Sequence, residues 1–101
     1  MTYQILGQWT RCFTEIPGLQ QAHEISYSAG WSDSGMQIRI TLSMQGMRRG
    51  RILQCYEMTT SRATELAKYL YENGIEPDSA LDILADFQVL YREYETFIAA
   101  S

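Results

Sequence analysis

The sequence predicts an α+β fold: a four-stranded antiparallel meander sheet followed by two C-terminal helices packed on one face. Three observations carry this. Apolar and polar residues alternate up to about residue 58, the period of strands with one dry and one wet face. From Thr59 the apolar spacing lengthens to three and four, the period of amphipathic helices. Between the two helical stretches, "NGIEP" joins a helix stop to a helix start. At 101 residues the chain is read as one domain, 1–101, large enough to bury a core without cross-links.

In the first strand Tyr3, Ile5, Trp9 and Phe13 share a face, with Gly7 and Arg11 between them. Its place in the sheet is left open. "IPGLQQ" at 16–21 turns the chain, because Pro17-Gly18 favours reversal. The second strand carries Ile25, Tyr27, Ala29 and Trp31, and "SDSG" at 32–35 leads into the third, with Gly35 free to take a positive φ. Met36, Ile38, Ile40 and Leu42 alternate cleanly in that third strand. "QGMRRG" at 45–50, bracketed by Gly46 and Gly50, joins it to a fourth over Arg51 to Met58. There the pattern is mixed, with Leu53 and Cys55 competing against Ile52, Tyr56 and Met58.

Thr59 or Thr60 supplies an N-cap for the first helix, whose buried face is Ala63, Leu66, Ala67 and Leu70. Gly74 ends it by taking the left-handed position without steric cost. Pro77 suits the first turn of a second helix, and Glu76, Asp78 and Asp82 favour its positive pole. An apolar stripe of Ile83, Leu84, Phe87, Leu90, Tyr91, Tyr94, Phe97 and Ile98 extends this helix from Asp78 to Ala99. At the usual rise it is about 33 Å long against roughly 21 Å for the first. Its end therefore overhangs: either the stripe crosses the sheet diagonally or the end packs on a second copy.

With 8 basic and 12 acidic residues the formal charge is -4 and the pI about 4.8, which disfavours nucleic acids and anionic membranes. No apolar run is long enough to span a bilayer, and "MTYQILGQWTRCF" lacks the basic-then-apolar pattern of a secretory signal. A cytoplasmic location is expected. Cys12 and Cys55 are expected to be free thiols, buried or half-buried. With no CxxC pair and no Cys/His cluster, neither a structural metal nor another cofactor is expected.

Catalysis needs a nucleophile with a base, paired acids in a cleft, or a metal set. The single histidine, His23, begins a strand and is expected to be exposed or half-exposed there. Asp82, Asp86 and Glu93 form a solvated acidic flank on the second helix, with too few convergent oxygens for a tight cation site. The glycines are scattered and form no phosphate-cradling loop. The expectation is a non-enzyme. The basic residues concentrate at Arg48, Arg49 and Arg51, with Arg39 nearby, a hairpin that could enter a nucleic-acid groove or meet an acidic partner. The acidic balance favours a solvated hairpin tip or one that meets an acidic partner. Tyr69 and Tyr71 flank the first helix's buried face, so at least one is expected to be partly exposed. Tyr, Trp and Arg are enriched at protein-protein hot spots.

Glu57-Met58-Thr59, Leu66, Leu70, Pro77, Leu81, Ile83 and Asp86-Phe87 resemble the pattern of a family of short uncharacterised proteins from Gram-positive bacteria. The likeness covers residues 57–87, departs from the pattern at Glu57 and Arg62, and brings no functional residues. It implies a small bacterial protein with no assigned activity. The expected function is a non-catalytic, cytoplasmic protein-protein interaction or regulatory module. Its partner is an unidentified protein or a second copy, met through Arg48, Arg49, Arg51, Tyr69, Tyr71, Tyr94, Phe97 and Ile98. A nucleic-acid module using the arginine hairpin is the alternative, and no membrane role is expected.

Overall fold

A computed structural model describes residues 3–100. Four strands run as an antiparallel meander: β1 (Gln4–Phe13), β2 (His23–Ser32), β3 (Gly35–Met44) and β4 (Met47–Cys55). Helix α1 (Thr60–Glu72), a 3₁₀ turn (Pro77–Ser79) and helix α2 (Ala80–Asp86) follow. The chain then returns to the sheet as β5 (Tyr91–Ala100), antiparallel to β4, so the strand order is β1-β2-β3-β4-β5. The four-stranded expectation with both helices at the C-terminus is thus corrected to five strands, the last one after the helices.

The cause lies at residues 87–89. Gln88 has a φ of 57°, its N–H donates to the Ala85 carbonyl at 3.0 Å, and the Val89 N–H donates to the Leu84 carbonyl at 2.9 Å. This is the paired bonding that closes a helix in the left-handed position. Val89 and Leu84 are both buried beneath it. The apolar spacing from Tyr91 to Ile98 is helical, but its aromatic and β-branched residue types suit a pleated sheet. Pairing with β4 gives that strand's outer backbone groups partners a helix would not supply. The predicted stripe is therefore cut at Phe87, and Tyr94, Phe97 and Ile98 belong to a strand rather than an overhanging helix end.

α1 matches its expectation. The Thr59 side chain accepts from the Arg62 N–H at 3.1 Å, and Ala63, Leu66, Ala67 and Leu70 are its buried residues. Gly74, at φ 58°, ends it, with the Ile75 N–H donating to the Leu70 carbonyl at 3.0 Å. The helix lies over β2, β1 and part of β3, while the 3₁₀ turn reaches β4 and β3. Between the layers sit Ile25, Tyr27, Ala29, Met36, Ile38, Ile40, Leu42, Leu53 and Cys55 from the sheet, with Leu84 and Val89 from the α2 region. The Tyr27 hydroxyl donates to the Ile75 carbonyl at 2.8 Å, and burial pushes its pKa up to about 12.

Two further differences concern register. The β1–β2 pairing shifts between Ile5 and Gly7, so Leu6 packs on the core while Ile5 is half-exposed. Gln45 and Gly46 both have positive φ, at 45° and 75°, which makes a two-residue hairpin. β4 consequently begins at Met47, and Arg48 and Arg49 lie within the strand rather than in a six-residue connection.

Candidate functional site

Alternation along β4 divides the arginine group. Register with β3 puts Arg49 opposite Leu42 and Arg51 opposite Ile40, on the face toward the helices. There Arg51 donates to the Asp78 carboxylate from Nε at 3.2 Å and from Nη2 at 3.0 Å, and also meets Glu93. Arg49 donates to the other Asp78 oxygen at 3.0 Å and lies 3.7 Å from Glu76. The Arg51 hydrogen bond, then that of Arg49, holds the Asp78 carboxyl below the usual carboxylate range. Arg48 faces the other way, opposite Ser43 and Ala99, and is exposed. The predicted cluster is thus two arginines latching the 3₁₀ turn to the sheet and one on the opposite surface. The acidic flank is broken up as well: Glu93 lies in β5 as part of this latch, while Asp82 and Asp86 remain exposed on α2.

The other candidates are also separated. Tyr71 is half-buried, edge-on to Tyr27 with centroids 6.3 Å apart. Tyr94 is 36% exposed at the irregularity of the β4–β5 pairing. Phe97 lies over Gly50, where a Cβ would come within 2.9 Å of its ring. Ile98 is 73% exposed, opposite Arg49.

Tyr69 joins a site the sequence does not display. Arg62, Glu65, Leu66 and Tyr69 of α1 and Phe87 and Val89 of the α2–β5 turn line a groove of about 230 Å³. Leu66 and Val89 are buried in it, whereas Tyr69 and Phe87 pair edge-on with centroids 4.9 Å apart. The Arg62 Nη2 donates to the Phe87 carbonyl at 3.0 Å, tying the two walls together. Leu90, which follows Val89 in the chain, is exposed, as is Tyr56, whose N–H donates to the Leu90 carbonyl at 2.8 Å. Only the helix closure at Gln88 brings Phe87 and Val89 here. The sequence signal for it is the change from helical to strand-like residue types after Phe87.

A hollow of about 420 Å³ at one end of the sheet holds Cys12, His23 and Glu24, the residue types of a thiol–imidazole–acid set. Their geometry is otherwise. The Cys12 Sγ is 3.9 Å from Glu24, while the His23 ring stacks on Phe13 at 4.5 Å and its Nδ1 is 2.8 Å from the Gln21 carbonyl. The cysteines are a partial correction: Cys12 is exposed and Cys55 is buried, its thiol pushed up to about 11 by that burial. Among the described residues no group of three or more His, Cys, Asp or Glu could hold a metal ion, and no helix is long and apolar enough to cross a membrane.

No protein-family model, curated protein or solved structure matches the chain. The residues carrying the resemblance serve the fold: Thr59 caps α1, Leu66, Leu70 and Pro77 are buried, and Asp86-Phe87 closes α2.

Proposed function

We propose that the protein is a non-catalytic binding module whose groove between α1 and the α2–β5 turn receives one large apolar side chain of a protein partner. The observation that carries this is the exposed Tyr69–Phe87 pair at the mouth of a cavity floored by Leu66 and Val89. At about 230 Å³ the cavity is smaller than the usual small-molecule or cofactor site and suits a single side chain. Rigid aromatics around a dry floor are the features of an interface hot spot. Arg62 gives one guanidinium nitrogen to Phe87 and makes no ion pair among the described residues, so its remaining N–H groups favour a carboxylate next to the inserted side chain.

N-acetyl-tryptophanamide is the smallest peptide-like probe of this reading. Titrated into labelled protein, it should shift the amide resonances of Leu66, Tyr69 and Val89 with millimolar affinity. Tyr69→Ala should weaken that binding at least fivefold, at an aromatic contact worth about 1 kcal/mol or more. Shifts confined to another surface, or no shifts at all, would remove the groove as a docking site.

A further inference from the structure

The two edges of the sheet are held differently. β1 lies beneath α1 and sends Leu6, Trp9 and Phe13 onto the core. The helical layer meets β4 through the 3₁₀ turn, and β5 lies one strand further out. The buried core is drawn from β2, β3, β4, both helices and Val89, and takes no described residue of β5. Of that strand, Tyr91 alone packs against it. From Arg92 to Ala99 every side chain is exposed or half-buried. The apolar interior is complete without this segment.

What holds the segment is local. Its backbone pairs with β4 alone, and the pairing slips where Glu93 and Glu95 oppose Leu53 and Ile52, with Tyr94 as the extra residue. On the helix side Glu93 and Thr96 both meet Arg51, the Thr96 oxygen at 3.3 Å, and Arg51 is bonded in turn to Asp78 of the 3₁₀ turn. On the other side the Phe97 ring rests on Gly50. Exposed ion pairs contribute little, and segments with few buried apolar contacts open at lower cost than the whole fold.

We propose that β5 from Arg92 onward is a strap that opens from β4 as a unit while the rest of the fold stays closed, with Tyr91 as its anchor and Arg51 as its catch. The sheet then has two states. When the strap is closed, its bulged and charged edge resists pairing with other chains. When it is open, the outer backbone groups of β4 are bare, the condition that invites edge-to-edge association. The strap is the guard of that edge. It leaves the α1 groove unchanged in both states, because Phe87 and Val89 precede the anchor.

Native-state hydrogen exchange of the full chain tests this, read by NMR in urea below the unfolding transition and where reclosing outpaces exchange. Amides bonded between β4 and residues 92–99 should share one protection level, lower than that of the β2–β3 amides by about tenfold or more. Their urea dependence should be smaller, since opening exposes little surface. The β1–β2 amides should follow the core although β1 is also an edge. Ile25→Val, within the part that stays folded, should speed the β2–β3 amides about fivefold and leave the strap amides unchanged. Phe97→Ala should speed both groups by the same factor, because both openings release that ring. Strap amides with the protection and urea dependence of the core would overturn the proposal. So would strap amides that respond to Ile25→Val as the core does, or protection that falls residue by residue toward the C-terminus with no common level.

Discussion

Replacing Tyr27 by Phe tests how tightly the helical layer closes on the sheet. The Tyr27 side chain is fully buried, packs edge-on to Tyr71, and bonds the Ile75 carbonyl just after α1 stops. Phenylalanine keeps the ring but leaves that carbonyl without its partner. The loss at pH 7 should be about 1–2 kcal/mol, or roughly 5–15 °C in Tm for a domain of this size. Alkali then reverses the comparison. Burial raises the phenol from its ordinary 10.0 to about 12, so between those values the folded state keeps a proton that the unfolded chain has lost. The folded state binds more protons, and this contribution is fully present below pH 10 and lost as pH rises through 12. Two units correspond to about 2–3 kcal/mol. Tyr27→Phe has no such proton, so its deficit should shrink above pH 10 and close or invert near pH 12. Cys55 titrates in both proteins and cancels in the difference. Urea unfolding followed by far-UV circular dichroism from pH 7 to 12 measures both limbs. Parallel stability curves through pH 12 would refute the enclosed phenol, and with it the close seating of the helices.

Three further outcomes follow from single contacts. Asp78→Asn removes a carboxyl held low chiefly by the Arg51 hydrogen bond, a contribution present above the unfolded carboxylate pKa and lost as pH falls through the folded one. Acid unfolding of the variant should therefore be flatter below about pH 4, and its cost at pH 7 should stay within about 1 kcal/mol because the carboxylate is 62% exposed. Ellman's reagent at pH 8 should label Cys12 quickly and Cys55 only at the rate of unfolding, so two fast equivalents in native buffer would contradict the burial of Cys55. Gln88→Gly should raise stability by about 0.5–1 kcal/mol in thermal melts, because Gln88 holds a φ of 57° that glycine adopts freely.

Where one periodicity fits, sequence and structure agree. Met36, Ile38, Ile40 and Leu42 are all buried as their alternation requires, and the α1 face with its Gly74 stop is as read. Where spacing and residue type disagree, a local bond decides. Tyr91, Tyr94, Phe97 and Ile98 have the spacing of a helix stripe but the residue types of a strand, and the left-handed Gln88 selects the strand. Gln is an uncommon residue for that conformation, so no glycine advertises the stop. Gly74 does so for α1. A one-residue shift at Ile5 turns the start of β1 over, which alternation counted straight through cannot register. The arginines were legible as a cluster in sequence but not in space, because a two-residue hairpin puts them into a pleated strand that sends Arg48 away from Arg49 and Arg51. Of the groove, it was legible only that Tyr69 or Tyr71 would be partly exposed. Phe87 and Val89 depended on the same unseen helix end.

The position of β5 also determines where a partner can sit. As the outer neighbour of β4 it leaves β1 and β5 as the sheet's two edges, and both pairings beside those edges carry a register shift. Arg92, Glu93 and Glu95 add exposed charges along β5. Bulged, charged edges resist strand addition, so an extended peptide gains little by continuing this sheet. The face away from the helices is filled by its own polar contacts: Tyr3 to Ser28, Thr10 to Ser26, and Arg39 to Gln37 while its guanidinium lies 3.5 Å from the centre of the Tyr3 ring. Where those contacts lie, satisfied hydroxyls and amides offer a partner little desolvation gain. Exposed apolar side chains lie beside α1 at Tyr69 and Phe87, at the β3–β4 end of the sheet at Leu19, Met47 and Ile98, and at the β2–β3 end at Ile5 and Trp31. The proposed groove is therefore reached by side-chain insertion rather than backbone pairing, and substitutions at single exposed side chains such as Tyr69 are its decisive tests.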